Sequence, residues 1–474
     1  MKPMQTRSRS SILSTCFYGC WIMLTAVLAD RVIVAGEPSR PNVLLILADD
    51  FGYGDAGFNG CVDIPTPHMD SIAAEGVRFT NGYSSHPFCS PMRAGLMTCR
   101  YQHRFGYVTN IAFDPHNHRM GLPTSQRTIA ARLKQVGYRT GIVGKWHLGA
   151  ASEFHPLNRG FDFFYGFLGG GHDYFTVDTT ARLHENYKAA LDDNGSPAGL
   201  DGYLTERLTD RAIDFIQQSE EQPYFLFVSY NAPHTPMQAP ESKIAQFSSI
   251  ADKKRRTYAA MVSSMDDQVG RLLSEVERRG ERESTIIFFL SDNGGPESAN
   301  ASDNGPLRGQ KGDLYEGGIR VPFAIRYCGQ VPAGQTIDHP VISLDVSRTA
   351  LAVAGASDDS VLDGVNLLPW MKGTVDTPPH EALYWKKAPG AEYAVRRGDW
   401  KRIVTAEGPQ TFNLSTNISE TASDAMDSGN ETEFETSYLQ WDEDNLPSFF
   451  PSFRDYHREL EAYHREVELK AQQR

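Results

Sequence analysis

The chain has 474 residues, 40% of them hydrophobic and 22% charged, with six cysteines and a formal net charge of -13. This is globular composition, long enough for one large domain and a smaller one. The acidic balance excludes binding to nucleic acid or to an anionic membrane through bulk charge, so an anionic ligand would need locally gathered positive charge.

Lys2, Arg7 and Arg9 precede an uncharged stretch from Ser10 to Ala29, with Ala29 and Ala35 as small residues for cleavage. The pattern is that of an export leader over 1–35, which sends the mature protein to the periplasm or out of the cell. A retained membrane anchor is the alternative reading; once the leader is cleaved, no membrane association is expected. Cys16 and Cys20 go with it. Cys61, Cys89, Cys99 and Cys328 remain, too few for a disulfide scaffold but enough for one bridge.

Residues 41–48 form a continuous apolar run ending in Asp49-Asp50. An apolar run without alternation suits a strand covered on both faces. The design recurs. The run over 138–144 ends in Lys145-Trp146-His147, that over 224–230 in Asn231-Ala232-Pro233-His234, and that over 285–291 in Asp292-Asn293. Helical periodicity falls between them, over 128–135, 204–218 and 258–279, and again over 343–354. Alternating strands and helices predict an α/β fold with a large, mostly parallel sheet sandwiched by helices. Ligands bind such sheets beyond the carboxyl ends of the strands, where all four runs carry their polar residues.

A glycine-dense loop over 305–322 contains Lys311 and leads into a further strand. From about 374 the texture changes to short strands around Leu383-Tyr384-Trp385, over 392–396 and over 400–404, with turns at Pro389-Gly390 and Gly398-Asp399. A small antiparallel sheet is expected there. The polar, acidic stretch 415–436 reads as an exposed loop and 453–474 as a charged terminal helix. The domain division is thus 1–35 leader, 36–373 α/β domain and 374–474 C-terminal subdomain.

Between the first two strands stands Cys89-Ser90-Pro91-Met92-Arg93. Pro91, with its preset φ and missing N–H, suits the first turn of a helix, which places Cys89 at a positive helix end. Arg93 lies one turn on, on the same face. A free cysteine is by default a small packed hydrophobe. A sulfur and a permanent cation sharing one helix mouth instead suit a tetrahedral oxyanion. Asp49, Asp50, Asp292 and Asn293 offer oxygen ligands alone, a set that suits Ca²⁺ or Mg²⁺ rather than Zn²⁺. Lys145 and His147, two apart on extended backbone, face one side. His68, His86, His103 and His172 read as packed or solvated side chains, with a place in the wall of a substrate pocket as the alternative for His172, which follows a glycine run.

These residues resemble the formylglycine-dependent sulfatases of the alkaline phosphatase superfamily, of the arylsulfatase and N-acetylgalactosamine-6-sulfatase kind. Cys89-Ser90-Pro91-Met92-Arg93 is similar to their maturation motif, and the stretch from Gly137 to His147 to their second signature. The resemblance spans about Pro41 to Trp400. It implies that Cys89 becomes Cα-formylglycine through a formylglycine-generating enzyme, with its hydrate as nucleophile. Asp49, Asp50, Asp292 and Asn293, with residue 89, would hold a metal, normally Ca²⁺. Arg93 would stabilise the hydrate. Lys145, His147, His234 and Lys311 would bind sulfate and move protons. Met92 and Cys99 depart from the small residue and the glycine usual at those positions.

A sulfate ester, of a glycan or a small molecule, is then the expected substrate. Tyr165, Phe167, His172, Tyr174 and Tyr203 form an aromatic and polar mixture suited to a sugar. Two other readings compete: a phosphodiesterase or phosphonate monoester hydrolase of the same superfamily, and a non-catalytic glycan-binding relative with Cys89 left as thiol.

Overall fold

The computed structural model describes residues 40–179, 187–220, 222–356, 361–387, 392–448, 450 and 458. The leader over 1–35 and the turn at Pro389-Gly390 lie outside them, as does all but one residue of the terminal helix expected over 453–474. In chain order the strands are β1 (Asn42–Ala48), β2 (Val77–Phe79), β3 (Gly82–Tyr83), β4 (Arg139–Lys145), β5 (Phe163–Phe167), β6 (Leu191–Asp193), β7 (Ser196–Ala198), β8 (Tyr224–Ser229), β9 (Thr285–Ser291), β10 (Phe323–Arg326), β11 (Gln335–Ile337), β12 (Val341–Ile342), β13 (Leu383–Lys386), β14 (Tyr393–Arg397), β15 (Trp400–Thr405) and β16 (Gly408–Asn413).

The four apolar runs become the middle of a sheet ordered β11-β2-β10-β9-β1-β8-β4-β5-β6-β7. β1 is buried along its whole length and pairs parallel with β8 and β9. β4 joins β8 and β5 in the same sense, while β10, β6 and β7 run antiparallel toward the edges. The sheet is therefore mixed, with a parallel centre. Leu44, Ile46 and Ala48 pack on one face against helices Leu204–Gln217 and Lys253–Arg278; Val43, Leu45 and Leu47 pack on the other against Cys89–Thr98, Ile129–Gln135 and Ser343–Val353. Burial on both faces is why these strands show no polar alternation. The register sets Leu47 beside Ser229 and Ala48 beside Ser291, so the residues that follow β1, β8 and β9 emerge level with one another.

Three expectations need correction. The helix expected from 258 begins at Lys253, because the Asp252 side chain caps it by accepting from the Arg255 N–H at 2.7 Å. The stretch 415–436 is not all exposed loop. Glu420 within it is wholly buried, and helix Ser428–Glu443 starts inside it, packing Phe434, Tyr438 and Trp441 toward the C-terminal sheet. β16 carries too little apolar pattern to announce itself, and it completes the antiparallel sheet β13-β14-β15-β16. The four cysteines among the described residues are free thiols. Among the described residues no helix is long and apolar enough to cross a membrane.

A buried ion cluster joins that sheet to the α/β domain. Lys401 Nζ lies 2.8 Å from Glu316 Oε1 and 2.9 Å from Glu420 Oε1, all three side chains fully buried. Burial, with Glu316 close by, pushes the Glu420 carboxyl from its ordinary 4.5 up to about 7 although Lys401 opposes this. Burial also disfavours the Glu316 carboxylate, but Lys401, Arg396 and Arg320 hold it down at about 2. The raised Glu420 favours folding when protonated, so its contribution is whole below about pH 4.5 and is lost as pH rises through about 7. Glu316 is constant across that window. Glu420→Gln mimics the protonated form. Its stability relative to wild type is expected to rise by roughly 2–3 kcal/mol between pH 5 and 8. Thermal melts of both proteins across that range check this, and a difference independent of pH refutes it.

Candidate active site

The carboxyl ends of the central strands deliver the predicted residues to one place. Asp49 and Asp50 follow β1, and Asp50 sits in the left-handed region at φ 65°, a conformation Asp tolerates better than most residues. Asp292 and Asn293 follow β9 in the same way. Helix Cys89–Thr98 begins at the cysteine itself, with Phe88 extended before it and every helical residue buried. Pro91 occupies its first turn, as its chemistry requires. The helix ends at Cys99, which holds φ 58° where glycine would be unstrained.

The charges interlock. Lys145 Nζ lies 2.6 Å from Asp49 Oδ2, and Lys311 Nζ lies 2.6 Å from Asp50 Oδ1 and 3.0 Å from Cys89 Sγ. Cys89 Sγ is 3.6 Å from Asp49 Oδ1. Arg93 grips Asp292 Oδ2 through Nε at 3.2 Å and Nη2 at 3.0 Å, while its Nη1 donates to Lys145 O and Ser229 Oγ. The guanidinium thus orients Asp292 rather than lying free over Cys89. Ser229 was not singled out by the sequence. Its Oγ accepts from Arg93 at 2.6 Å and donates to Lys145 O at 2.8 Å, tying the ends of β4 and β8 to the helix.

Burial works against charge on both lysines, but Asp49 beside Lys145 and Asp50 beside Lys311 keep their ammonium groups above the ordinary range. Asp50 is likewise disfavoured by burial, yet Lys311 and then His234 hold it at about 2. Asp292 shows the opposite balance: burial and the neighbouring Asp49 carboxylate push it up to about 6 despite Arg93. Burial, reinforced by Asp292, pushes the Cys89 thiol up to about 12.

The residues fit a divalent cation. Asp49, Asp50, Cys89 and His234 each present a donor atom, and these atoms lie within 4.8 Å of one another. Asn293 donates through Nδ2 to Asp50 Oδ1 at 2.7 Å, while its Oδ1, buried, accepts no hydrogen bond among the described residues. Asp292 Oδ1 stands 3.2 Å from the Asp50 N–H. An orphaned amide oxygen among crowded carboxylates is the arrangement that a hard cation completes.

The two histidines differ. His147, at φ 56°, places Nε2 3.1 Å from Ile111 O, while its Nδ1 is buried without a hydrogen-bond partner. Donation to that carbonyl fixes the tautomer with the lone pair on Nδ1. Burial, and then Lys145, hold its pKa well below the ordinary value. His234 sets Nδ1 2.7 Å from Thr235 O and Nε2 3.6 Å from Asp50 Oδ2. Burial lowers it to about 4 although Asp50 opposes. Ser90 Oγ donates to His147 O at 2.6 Å, and Tyr174 OH to His234 O at 2.8 Å.

Next to these rings lies a cavity of about 150 Å³ with Phe113, Phe167, His172, Tyr187, Asp192 and Pro197 in its wall. The Tyr187 ring meets the His234 ring edge-on at 6.2 Å, and Gly170 backs directly onto the His147 ring. Phe167 and His172 border this cavity. Tyr165, Tyr174 and Tyr203 do not: all three are buried in the core, Tyr174 stacked on Tyr203.

The Sulfatase family model matches residues 41–356. N-acetylgalactosamine-6-sulfatase of Mus musculus is 36% identical over 374 residues, covering 74% of this chain and 69% of its own. Arylsulfatase J of Mus musculus is 35% identical over 422 residues, covering 83% and 69%. The crystal structure of Ps i-CgsB in complex with k-i-k-neocarrahexaose has a TM-score of 0.82 and 37% identity, covering 88% of this chain and 96% of that one.

The delivery of Lys145 depends on a glycine. Gly144 has φ 106°, and a Cβ there would lie 1.9 Å from Ser229 O, the residue it faces across the β4–β8 pairing. Neither the conformation nor the contact admits a side chain. Gly144→Ala is expected to cost more than about 2 kcal/mol of stability, measured by thermal or denaturant melting. A melt like that of wild type refutes this role for Gly144.

Proposed function

The chain belongs to the sulfatase family and is a sulfuric ester hydrolase, and from that premise we propose that it removes sulfate from a sulfated carbohydrate, using residue 89 as formylglycine and a divalent cation among the carboxylates. The observation that carries this reading is the placement of Cys89: it is buried at a helix N-terminus, with Lys311 Nζ 3.0 Å and Asp49 Oδ1 3.6 Å from its Sγ. A relative named for N-acetylgalactosamine-6-sulfate chemistry and a neighbour solved with a neocarrahexaose support a carbohydrate substrate. The aromatic cavity beside His147 and His234 suits a sugar ring.

Formylglycine hydrate supplies an attacking hydroxyl and a second hydroxyl through which sulfate is later released, which an ester of serine or cysteine cannot do. Asp49, Asp50, Asp292 and Asn293, with residue 89, would hold the cation, Ca²⁺ on an oxygen-dominated set with Mg²⁺ as alternative, and it would supply positive charge for the sulfate group. Lys145 and Lys311, both protonated, add fixed positive charge for those oxygens. Asp292, oriented by Arg93, accepts the proton of the attacking hydroxyl. His234 donates to the departing oxygen; an anionic ester beside it counteracts the burial that otherwise keeps it neutral. His147, with Nδ1 open and Nε2 fixed on Ile111 O, takes the proton of the second hydroxyl. The leader would carry the protein to the periplasm or outside the cell after a formylglycine-generating enzyme has acted on Cys89.

Cys89→Ala and Cys89→Ser are expected to abolish turnover of sulfate esters in a host that matures only cysteine. The wild-type Cys89 peptide is expected to have the mass of the aldehyde, and the protein to contain Ca²⁺ or Mg²⁺. Wild-type activity in Cys89→Ala, a thiol mass in active enzyme, full activity after exhaustive chelation, or Zn²⁺ at full occupancy would each count against the reading.

His234→Ala separates proton donation from sulfate binding. A sugar alkoxide needs a proton to leave and a nitrophenolate hardly does. General-acid assistance is worth about 10²–10⁴-fold, so the variant should slow a sugar sulfate more than nitrophenyl sulfate by a factor approaching that range. His147→Ala should slow both alike and leave a burst of released alcohol. Equal slowing of both substrates by His234→Ala, with chemistry rate-limiting, would move the donor role to Lys311.

A further inference from the structure

The 305–320 segment holds Lys311 over Cys89 in a local turn, where the Gln310 N–H donates to Asp313 Oδ2 at 2.9 Å and Ser298 donates to Gln310 Oε1. The Lys311 N–H reaches Gly295 O at only 3.4 Å, and the Gly312 N–H donates to Pro87 O at 3.0 Å. The segment also closes on itself, with the Gly317 N–H donating to Arg308 O at 2.7 Å, so that residues 308 and 316 bracket the lysine. Both ends of the bracket are held by one residue of the C-terminal subdomain. Glu420 accepts the Glu316 N–H on Oε2 at 2.6 Å, Arg308 Nη1 on its carbonyl at 2.7 Å and Lys401 Nζ on Oε1 at 2.9 Å. Lys401 in turn reaches Glu316 Oε1, whose other oxygen accepts from Tyr83 OH at 2.6 Å. Ser419 Oγ donates to Pro306 O and Tyr315 OH to Gln410 Oε1, so neighbouring contacts tie the same two surfaces together.

We propose that Glu420 and Lys401 are positioning residues for Lys311, clamping both ends of its loop from the C-terminal sheet so that the ammonium is held at Cys89 and Asp50. The proposal rests on the catalytic reading of Lys311 given above. A buried ion cluster of this kind contributes little net stability against apolar groups of equal size, but it fixes geometry. That suits a part whose task is the placement of a distant charge. The φ of 45° at Glu420 is the backbone cost of presenting its carbonyl and its carboxylate to the two ends of one loop.

The test compares Lys401→Met/Glu420→Gln with wild type, and repeats the pair in a Lys311→Ala background, using nitrophenyl sulfate as substrate and metal-loaded, formylglycine-matured protein. Misplacing a catalytic group by about 1 Å can cost 10²-fold. The pair is therefore expected to lower kcat roughly 10–100-fold while metal content, aldehyde content and far-UV spectrum stay at wild-type values. In the Lys311→Ala background the same pair should cost no further activity, since residues acting through one group do not add. An unchanged kcat in the pair, or an equal loss in both backgrounds, overturns the proposal. Lys311→Ala with full turnover overturns the functional reading beneath it, and shows in a protein whose clamp is intact. Should the pair fail to fold, Arg308→Met, at an exposed side chain, removes only the outer end of the clamp. It is held to the same criterion of a loss in kcat that vanishes without Lys311.

Discussion

Three carboxylates and three cations are packed where little water reaches them, and the rest of the structure serves to make that possible. Asp49, Asp50 and Asp292 face Arg93, Lys145 and Lys311, and all but Lys311 are at most a few percent exposed. Any of these charges alone would cost several kcal/mol to bury. They are tolerable only together, which demands that three strand ends, one helix N-terminus and one loop arrive at a common point. The parallel centre of the sheet meets that demand, because its register brings the residues after β1, β8 and β9 out level. Ser229 and the left-handed turns at Asp50 and His147 then aim the side chains inward. Asp292 is the place where the balance is least complete. Asp49 and burial leave it near 6, and a divalent cation beside Asn293 Oδ1 is what would relieve both.

Much of this was legible in the sequence for a simple reason. Strands buried on both faces cannot hide polar residues, so Asp49-Asp50, Lys145-Trp146-His147, His234 and Asp292-Asn293 stand out where the apolar runs stop. Pro91 marks the helix start, and with it the place of Cys89 and Arg93. What failed to show were groups whose role depends on long-range contact. Ser229 reads as the tail of an apolar run. Glu420 sits in an acidic polar stretch whose composition argues for solvent, and nothing local distinguishes it from its exposed neighbours. Tyr165, Tyr174 and Tyr203 erred the other way: aromatic residues between strands suggested a binding wall, but they pack in the core, and Tyr187 faces the cavity in their place.

The departures from the family pattern follow the same physics. Position 99 is the C-terminal cap of helix Cys89–Thr98 and takes a left-handed conformation, so glycine fits without strain and Cys99 bears it. Its Sγ lies 3.4 Å from Leu344 O, in a pocket on helix Ser343–Val353. Met92 is fully buried in the cluster beneath the sheet and points away from the charges. Neither side chain is part of the charge cluster, which is why the cluster is assembled without regard to them.

The acidity of the whole chain and the positive character of the site are compatible because they act over different distances. At physiological ionic strength charges separated by more than about 8 Å are largely screened, and the lysines of the site are in any case paired with Asp49 and Asp50. An approaching sulfate ester is therefore not drawn in by a long-range field, as a net charge of -13 would oppose it. Its attraction begins at contact, where the low-dielectric surroundings make each ammonium count for more. Recognition of the approaching molecule then falls to its uncharged part, and the aromatic cavity bordered by Tyr187 and Phe167 is the surface beside the histidines suited to a sugar face.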